Sequence, residues 1–149
     1  MSIYIFSHYF IGKFLLKDRV VALYFALSIS VCGFVLGHAE HISFNMSLVG
    51  FSFFSLGFIF SYQKKFLFTV LISAFGVIHF GTASYPTLTI TSFIFFFGLS
   101  VYRLVKLKSP IVWGLEMAPL LLGGAIGAAY CSFGLFYVSQ IMELSGRSQ

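Results

Sequence analysis

The sequence predicts an all-α membrane protein, a bundle of about five transmembrane helices with an interfacial helix at its N-terminus. Hydrophobic residues make up 59% of the 149 positions and charged residues only 9%. So few charges could not cover the surface of a water-soluble domain. The basic residues also fall in three short groups separated by apolar stretches. These groups are Lys13, Lys17 and Arg19; Lys64 and Lys65; and Arg103, Lys106 and Lys108.

The first 19 residues are expected to form an uncleaved helix at the cytoplasmic membrane surface. Their apolar stretch, Ile3–Leu16, precedes the positive charges, whereas a secretory signal peptide carries its charges first. His8, Gly12 and Lys13 interrupt this stretch and make it a poor membrane span. We therefore expect residues 1–19 to lie at the interface and to lead into the first span.

Five apolar stretches follow, each bounded by a polar turn or a proline. At about 1.5 Å per residue, about 20 helical residues cross the hydrocarbon core of a bilayer. The whole chain is then one integral membrane domain, because no long loop could hold a second one. The predicted spans are residues 20–37, 43–62, 66–82, 87–102 and 119–142.

The start of the fifth span is open to more than one interpretation. Trp113 is the only tryptophan, and tryptophan favours the membrane interface. Residues 111–117 are therefore expected to approach the membrane, with the span beginning near Pro119. One long tilted helix kinked at Pro119 is an alternative. A re-entrant hairpin over residues 111–142 is another.

The charges also predict the orientation. With the N-terminus in the cytoplasm, all three basic groups face the cytoplasm, as the positive-inside rule requires. The two opposite loops, residues 38–41 and 83–85, contain no lysine or arginine. We expect an integral protein of a bacterial inner membrane with its N-terminus cytoplasmic.

Small residues mark the expected helix contacts. The run from Gly123 to Gly127 contains a GxxxG spacing, which lets two helix backbones approach closely in lipid. We expect this face to pack within the chain, with a contact to another protein or a second copy as the alternative. The candidate helix-contact residues are Gly33, Gly37, Gly123, Gly124, Gly127 and Ala128.

A few polar residues form the nearest thing to a chemical site. The loop after the first span and the end of the third span would bring imidazoles to the same, outer membrane surface. The simpler interpretation is a polar loop with interfacial histidines. If Glu116 lies at membrane depth, its burial is costly and indicates a function. If it lies near the membrane boundary, its side chain can reach water. The candidate polar residues are His38, Glu40, His41, His79 and Glu116.

One stretch carries a family resemblance. Asn45–Phe68 ends in the polar, aromatic and basic turn Ser61–Lys65, followed by phenylalanine. It resembles the end of the second span in GtrA-like lipid-linked sugar translocases, over about 24 residues. That family has a second such turn near its C-terminus, whereas here Tyr102 and Arg103 precede a fifth predicted span. The resemblance implies a translocase as an alternative function.

The residues predict a protein that is not an enzyme. No Ser-His-acid arrangement, phosphate-binding loop or pair of carboxylates falls on one side of the membrane. No metal or cofactor is expected. Nucleic acid is not expected as a partner either, since the net charge of +5 comes from the cytoplasmic flanks of apolar spans. We expect a non-enzymatic membrane protein that acts through intramembrane contacts with a partner membrane protein or a second copy. An accessory subunit or an exclusion or immunity protein has this character, and a small transporter is the alternative.

Overall fold

The computed structural model describes residues 2–30, 42–83 and 86–146, and these ranges form six helices and no strand. The all-α prediction is confirmed. Three helices contain stretches long and apolar enough to cross a membrane, namely Phe44–Tyr62, Thr89–Leu107 and Pro110–Gln140. The helices are α1 (Ser2–Leu16), α2 (Arg19–Ser30), α3 (Ile42–Tyr62), α4 (Phe66–Ala83), α5 (Pro86–Leu107) and α6 (Pro110–Gly146).

Five of these helices correspond to predicted spans, and α6 contains the fifth, residues 119–142. Helices α3, α4 and α5 cover residues 43–62, 66–82 and 87–102. Helix α2 covers the first part of the span predicted over residues 20–37, and the rest of that span lies outside the described residues. Their insertion into a membrane stays a prediction.

Each of the three basic groups has a lysine at a short turn between helices of the described chain. Lys17, Lys64 and Lys108 each adopt a left-handed backbone with φ between 52° and 58°. This conformation commonly ends a helix, and a positive charge there complements the helix dipole. At the end of α3, the N–H of Lys65 donates to the carbonyl of Phe60 and that of Lys64 to Ser61, which is a Schellman ending. The same lysines therefore end the helices and place positive charge at the turns.

Helix α6 is a single continuous helix of 37 residues with Pro119 inside it. It begins at Pro110, nine residues before the expected start of the fifth span, as in the alternative of one long helix. The re-entrant hairpin is not formed. At 1.5 Å per residue the helix is about 55 Å long, well beyond the roughly 30 Å of a hydrocarbon core. Part of α6 must therefore extend beyond any membrane it crosses.

Helices α3 and α4 form an antiparallel pair joined by close backbone contact. A β-carbon on Gly50 would lie 3.0 Å from the carbonyl oxygen of Gly76, and one on Gly76 would lie 3.1 Å from that of Gly50. Further along, Gly57 lies against the hydroxyl of Ser73. Glycine at these positions lets the two helices touch, which is how helices associate when lipid gives no hydrophobic drive.

Helix α1 packs against both α2 and α3. Gly12 is buried against Ala22 and Phe25 of α2. His8 is also buried, and its Nδ1 lies 3.4 Å from the hydroxyl of Ser52. Since Ser52 is at the middle of α3, α1 reaches well along α3 from the Lys17 turn. The predicted position of residues 1–19 at a membrane surface did not anticipate this contact.

Helix α5 packs on α3 mainly through contacts between phenylalanine rings. Phe96 is buried, with its ring centroid 4.9 Å from that of Phe54 and 5.2 Å from those of Phe51 and Phe58. The outer side of α5 contacts little of the described chain. Large apolar side chains exposed there are Ile90, Ile94, Phe95, Phe97, Val101 and Val105.

Candidate functional site

The strongest polar feature of the described chain is an ion pair between α5 and α6. Arg103 donates from Nε and Nη2 to the two carboxylate oxygens of Glu116, each at 2.8 Å. The side chain of Glu116 is 7% exposed and that of Arg103 is 24% exposed. A two-pronged pair of this kind is strong and directional. Glu116 is therefore neutralised within the chain, and it does not present a free carboxylate.

The end of α3 completes this polar cluster. The guanidinium of Arg103 lies over the ring of Tyr62 at 4.7 Å, a cation–π contact. The hydroxyl of Ser61 donates to the backbone carbonyl of Glu116. Three helices thus meet at one polar point, level with the turn between α3 and α4. These contacts hold the C-terminal end of α3 against α5 and α6.

A second polar contact fixes α5 on α6 beside the ion pair. The indole Nε1 of Trp113 donates to the backbone carbonyl of Ser100 at 3.0 Å, with the Ser100 hydroxyl at 3.2 Å. The predicted role of Trp113 as an interfacial anchor is untested. Within the chain it serves as a hydrogen-bonding link between two helices.

A cleft of about 310 Å³ opens next to Glu116, between the α3–α4 turn and the first turns of α6. Its polar lining consists of Ser61, Lys64, Lys65, Thr69 and Glu116. Its apolar lining consists of Phe66, Val112, Leu115 and Pro119. The hydroxyls of Ser61 and Thr69 already donate to backbone carbonyls. The two lysines are therefore its only free charged groups among the described residues.

The small residues of α6 pack within the chain, but only on one face. A β-carbon on Gly127 would lie 2.6 Å from the carbonyl oxygen of Ala74, and one on Gly123 would overlap the carbonyl oxygen of Val70. The thiol of Cys131 lies 3.8 Å from the carbonyl of Ile78. These contacts recur every four residues on both helices, so α6 runs parallel to α4. Glycine permits this approach and the C–H···O contacts it allows.

The neighbouring small residues of α6 stay uncovered. Gly124 is half-buried and a β-carbon there would make an ordinary contact with Val77 at 4.0 Å. Ala128 and Ser132 are exposed. Gly33 and Gly37, the other predicted helix-contact pair, lie outside the described residues.

The predicted polar residues do not come together in the described part of the chain. His79 lies one turn before the end of α4, with Nδ1 2.9 Å from the carbonyl of Phe75. Glu116 lies by the start of α4, about 20 Å away along the helix. His38, Glu40 and His41 lie outside the described residues, so their relation to His79 stays a prediction. No described group of three His, Cys, Asp or Glu residues could hold a metal.

The sequence analysis did not predict Arg103 as the partner of Glu116, because Arg103 was assigned only to a basic group that sets the membrane orientation. A signal was present. Residues 103 and 116 are equidistant from the Ser109–Pro110 turn. Two antiparallel helices joined by a short turn bring such residues to the same level. A basic and an acidic residue so placed predict a pair.

Comparison of the chain with family models, curated proteins and solved structures finds no match. No family model therefore supports the resemblance of Asn45–Phe68 to the translocase family.

Proposed function

We propose that the protein is a non-enzymatic polytopic membrane protein that acts through intramembrane helix contacts with a partner membrane protein. An accessory subunit or an exclusion or immunity protein works in this way. The observation that carries the proposal is the division of α6 into two adjacent small-residue faces. One face, Gly123 and Gly127, is occupied by α4, and the other carries the half-buried Gly124 and the exposed Ala128 and Ser132; this second face is called the uncovered face.

Gly124 supports a partner on the uncovered face through its spacing with Ala128 and Ser132, since Gly98, Gly114 and Gly134 also lack a close neighbour. A glycine inside a helix costs up to about 1 kcal/mol relative to alanine. At Gly123 and Gly127 the close approach of α4 explains that cost. At Gly124 an alanine would fit against Val77, so nothing in the described chain requires glycine. A second helix approaching over Gly124, Ala128 and Ser132 would require it.

The alternative function is a small transporter or lipid-linked sugar translocase. It would use Glu116 and the histidines to meet a solute or a proton. Arg103 matches the charge of Glu116, and His79 lies at the far end of α4 bonded to its own helix. These contacts favour a structural role for both residues, so helix contacts remain the leading proposal.

The proposed arrangement in the membrane has five spans, in α2 with the residues after it and in α3 to α6. The turn after α1 lies on the cytoplasmic side, while α1 itself runs from that turn along α3 as far as Ser52, and the membrane is a bacterial inner membrane. The support is the positive charge at the turns after α1, α3 and α5, which all fall on one side in this arrangement.

Cysteine labelling tests this orientation. In a chain with Cys32 and Cys131 replaced by alanine, a thiol introduced at Ala83 should react with a membrane-impermeant maleimide added to intact cells. A thiol introduced at Gln63, in the α3–α4 turn, should react only after the cells are opened. Labelling of the Gln63 position from outside would reverse the proposed orientation.

Association with a partner is tested by substitutions on the uncovered face. Ala128→Leu and Ser132→Leu should each remove a co-purifying membrane protein, or a second copy, when the tagged chain is extracted in mild detergent. Both side chains are exposed in the chain, so thermal stability should stay unchanged. Ala129→Leu is the matched control, since Ala129 is also exposed and is turned about 100° around the helix. Equal recovery of the same protein with all three variants would contradict the proposal.

A further inference from the structure

The cleft beside the α3–α4 turn has a charge that the ion pair leaves unmatched. Glu116 is the only acid in its lining, and Arg103 already neutralises it. Within the described residues, neither Lys64 nor Lys65 forms an ion pair. The ammonium group of Lys65 lies 5.4 Å from the ring centroid of Phe60. The cleft therefore carries a net positive charge on its polar side.

The rest of the cleft lining is apolar. The side chains of Phe66 and Leu115 are exposed, and Pro119 is buried. A ligand that satisfies both sides needs a negative group and a hydrocarbon part. A free inorganic anion would meet only the lysines, and an uncharged apolar molecule would meet only the walls.

The first turn of α4 adds to the positive side. Asp18 caps α2 by accepting hydrogen bonds from the N–H groups of Val20 and Val21 at 2.8 and 2.9 Å. At the start of α4 the corresponding position is Lys65, which has no acceptor in its side chain. Among the described residues no side chain accepts from the N–H groups of residues 66–68, in a place where the helix dipole favours negative charge.

The position of the cleft along the bundle matches the depth of lipid head groups. It lies where α3 ends and α4 begins, so it is at a membrane surface whichever way the chain is oriented. This step rests on the membrane insertion in the proposed function. It does not depend on the partner.

We propose that this cleft binds one anionic glycerophospholipid. Its phosphate lies between Lys64, Lys65 and the first turn of α4, and an acyl chain follows the apolar wall formed by Phe66, Leu115 and Pro119. The bound lipid fills the space between the α3–α4 hairpin and α6 beside the Arg103–Glu116 pair. Its head group supplies the acceptor that Lys65 cannot.

Native mass spectrometry of the full chain in mild detergent tests this proposal with phosphatidylglycerol and phosphatidylcholine of the same acyl chains. One phosphatidylglycerol should stay bound at concentrations where phosphatidylcholine does not. Lys64→Gln with Lys65→Gln should weaken phosphatidylglycerol binding by about thirtyfold, on the scale expected of two lysines near an anionic head group. Lys106→Gln with Lys108→Gln is the matched control, because it removes two charges from another basic turn and should have little effect.

The apolar half of the site has its own test. Leu115→Trp should fill the cleft and displace the lipid while all the charges remain. Glycerol phosphate, which has the anion without the chains, should compete poorly. Equal binding of the two lipids by the wild-type chain would overturn the proposal, as would equal losses in the two lysine variants. Effective competition by glycerol phosphate would replace the lipid by a soluble anion. A chain absent from the membrane fraction would instead refute the insertion on which both proposals rest.

Discussion

Replacing Gly127 by leucine is expected to separate α6 from α4 and to cause one of the two largest losses of stability expected for this chain. The β-carbon alone would lie 2.6 Å from the carbonyl oxygen of Ala74 and 2.9 Å from Cβ of Val77. The oxygen belongs to the backbone, so it cannot turn away as a flexible side chain could. The helices must move apart, and the neighbouring contact of Gly123 with Val70 is lost with them.

The expected cost is at least about 2 kcal/mol, the scale of overpacking in a close-packed interior. It can be measured by titrating the purified chain from mild detergent into dodecyl sulfate and following the far-ultraviolet circular dichroism and the emission of Trp113. Gly123→Leu should behave in the same way. Gly98 is the matched control, because among the described residues no atom beyond its chain neighbours and its own helix backbone lies within 4 Å of a β-carbon built there.

Alanine substitutions sharpen this comparison by predicting opposite signs. Gly98→Ala should leave the stability unchanged or raise it by up to about 1 kcal/mol, since alanine favours a helix. Gly127→Ala should lower it. Similar stabilities for the two alanine variants would mean that α4 and α6 are not in the contact described here.

Removing one member of the Arg103–Glu116 pair is expected to have an effect of similar size. Glu116→Leu leaves the Arg103 guanidinium without its carboxylate at a point where three helices meet. Breaking a buried pair costs about 3–5 kcal/mol. The lower end, about 3 kcal/mol, applies here because 24% of the Arg103 side chain is exposed to solvent. The same detergent titration measures the loss.

The double variant distinguishes the pair from its two members. Arg103→Met with Glu116→Leu should recover most of the stability lost by Glu116→Leu, because no unpaired charge is left. Arg103→Met completes the cycle, and its coupling to Glu116→Leu should exceed about 1 kcal/mol. Strictly additive losses would show that the two side chains do not stabilise the bundle as a pair.

The positions of the helices could be predicted from the sequence because the turns are short and basic. Lys64 and Lys108 end α3 and α5 almost where the apolar stretches end. The length of α6 was harder to predict, since Pro119 is compatible with a helix start and with a helix interior. Residues on both sides of Pro119 pack against other helices, which favours one continuous helix. Before the proline, Glu116 bonds to α3 and α5, and after it Gly123 contacts α4.

The assignment of helix faces was beyond the sequence. Gly123 with Gly127 and Gly124 with Ala128 have the same spacing of four residues, so spacing cannot say which pair meets α4. The position of the α4 carbonyls does. His8 is a similar case. It marks an interruption in an apolar stretch, but nothing local places it against Ser52 of a helix more than 40 residues away.

The proposed contact joins the uncovered face of α6 to another membrane protein. Site-specific photo-crosslinking in the native membrane tests this contact directly. A benzophenone amino acid would replace Ala128 in one chain and Ile126 in another. Both side chains are exposed, and the two positions lie about 160° apart around the helix. We expect a protein crosslink, to a partner or a second copy, from position 128 and only lipid adducts from position 126. Lipid adducts alone from both positions would contradict it.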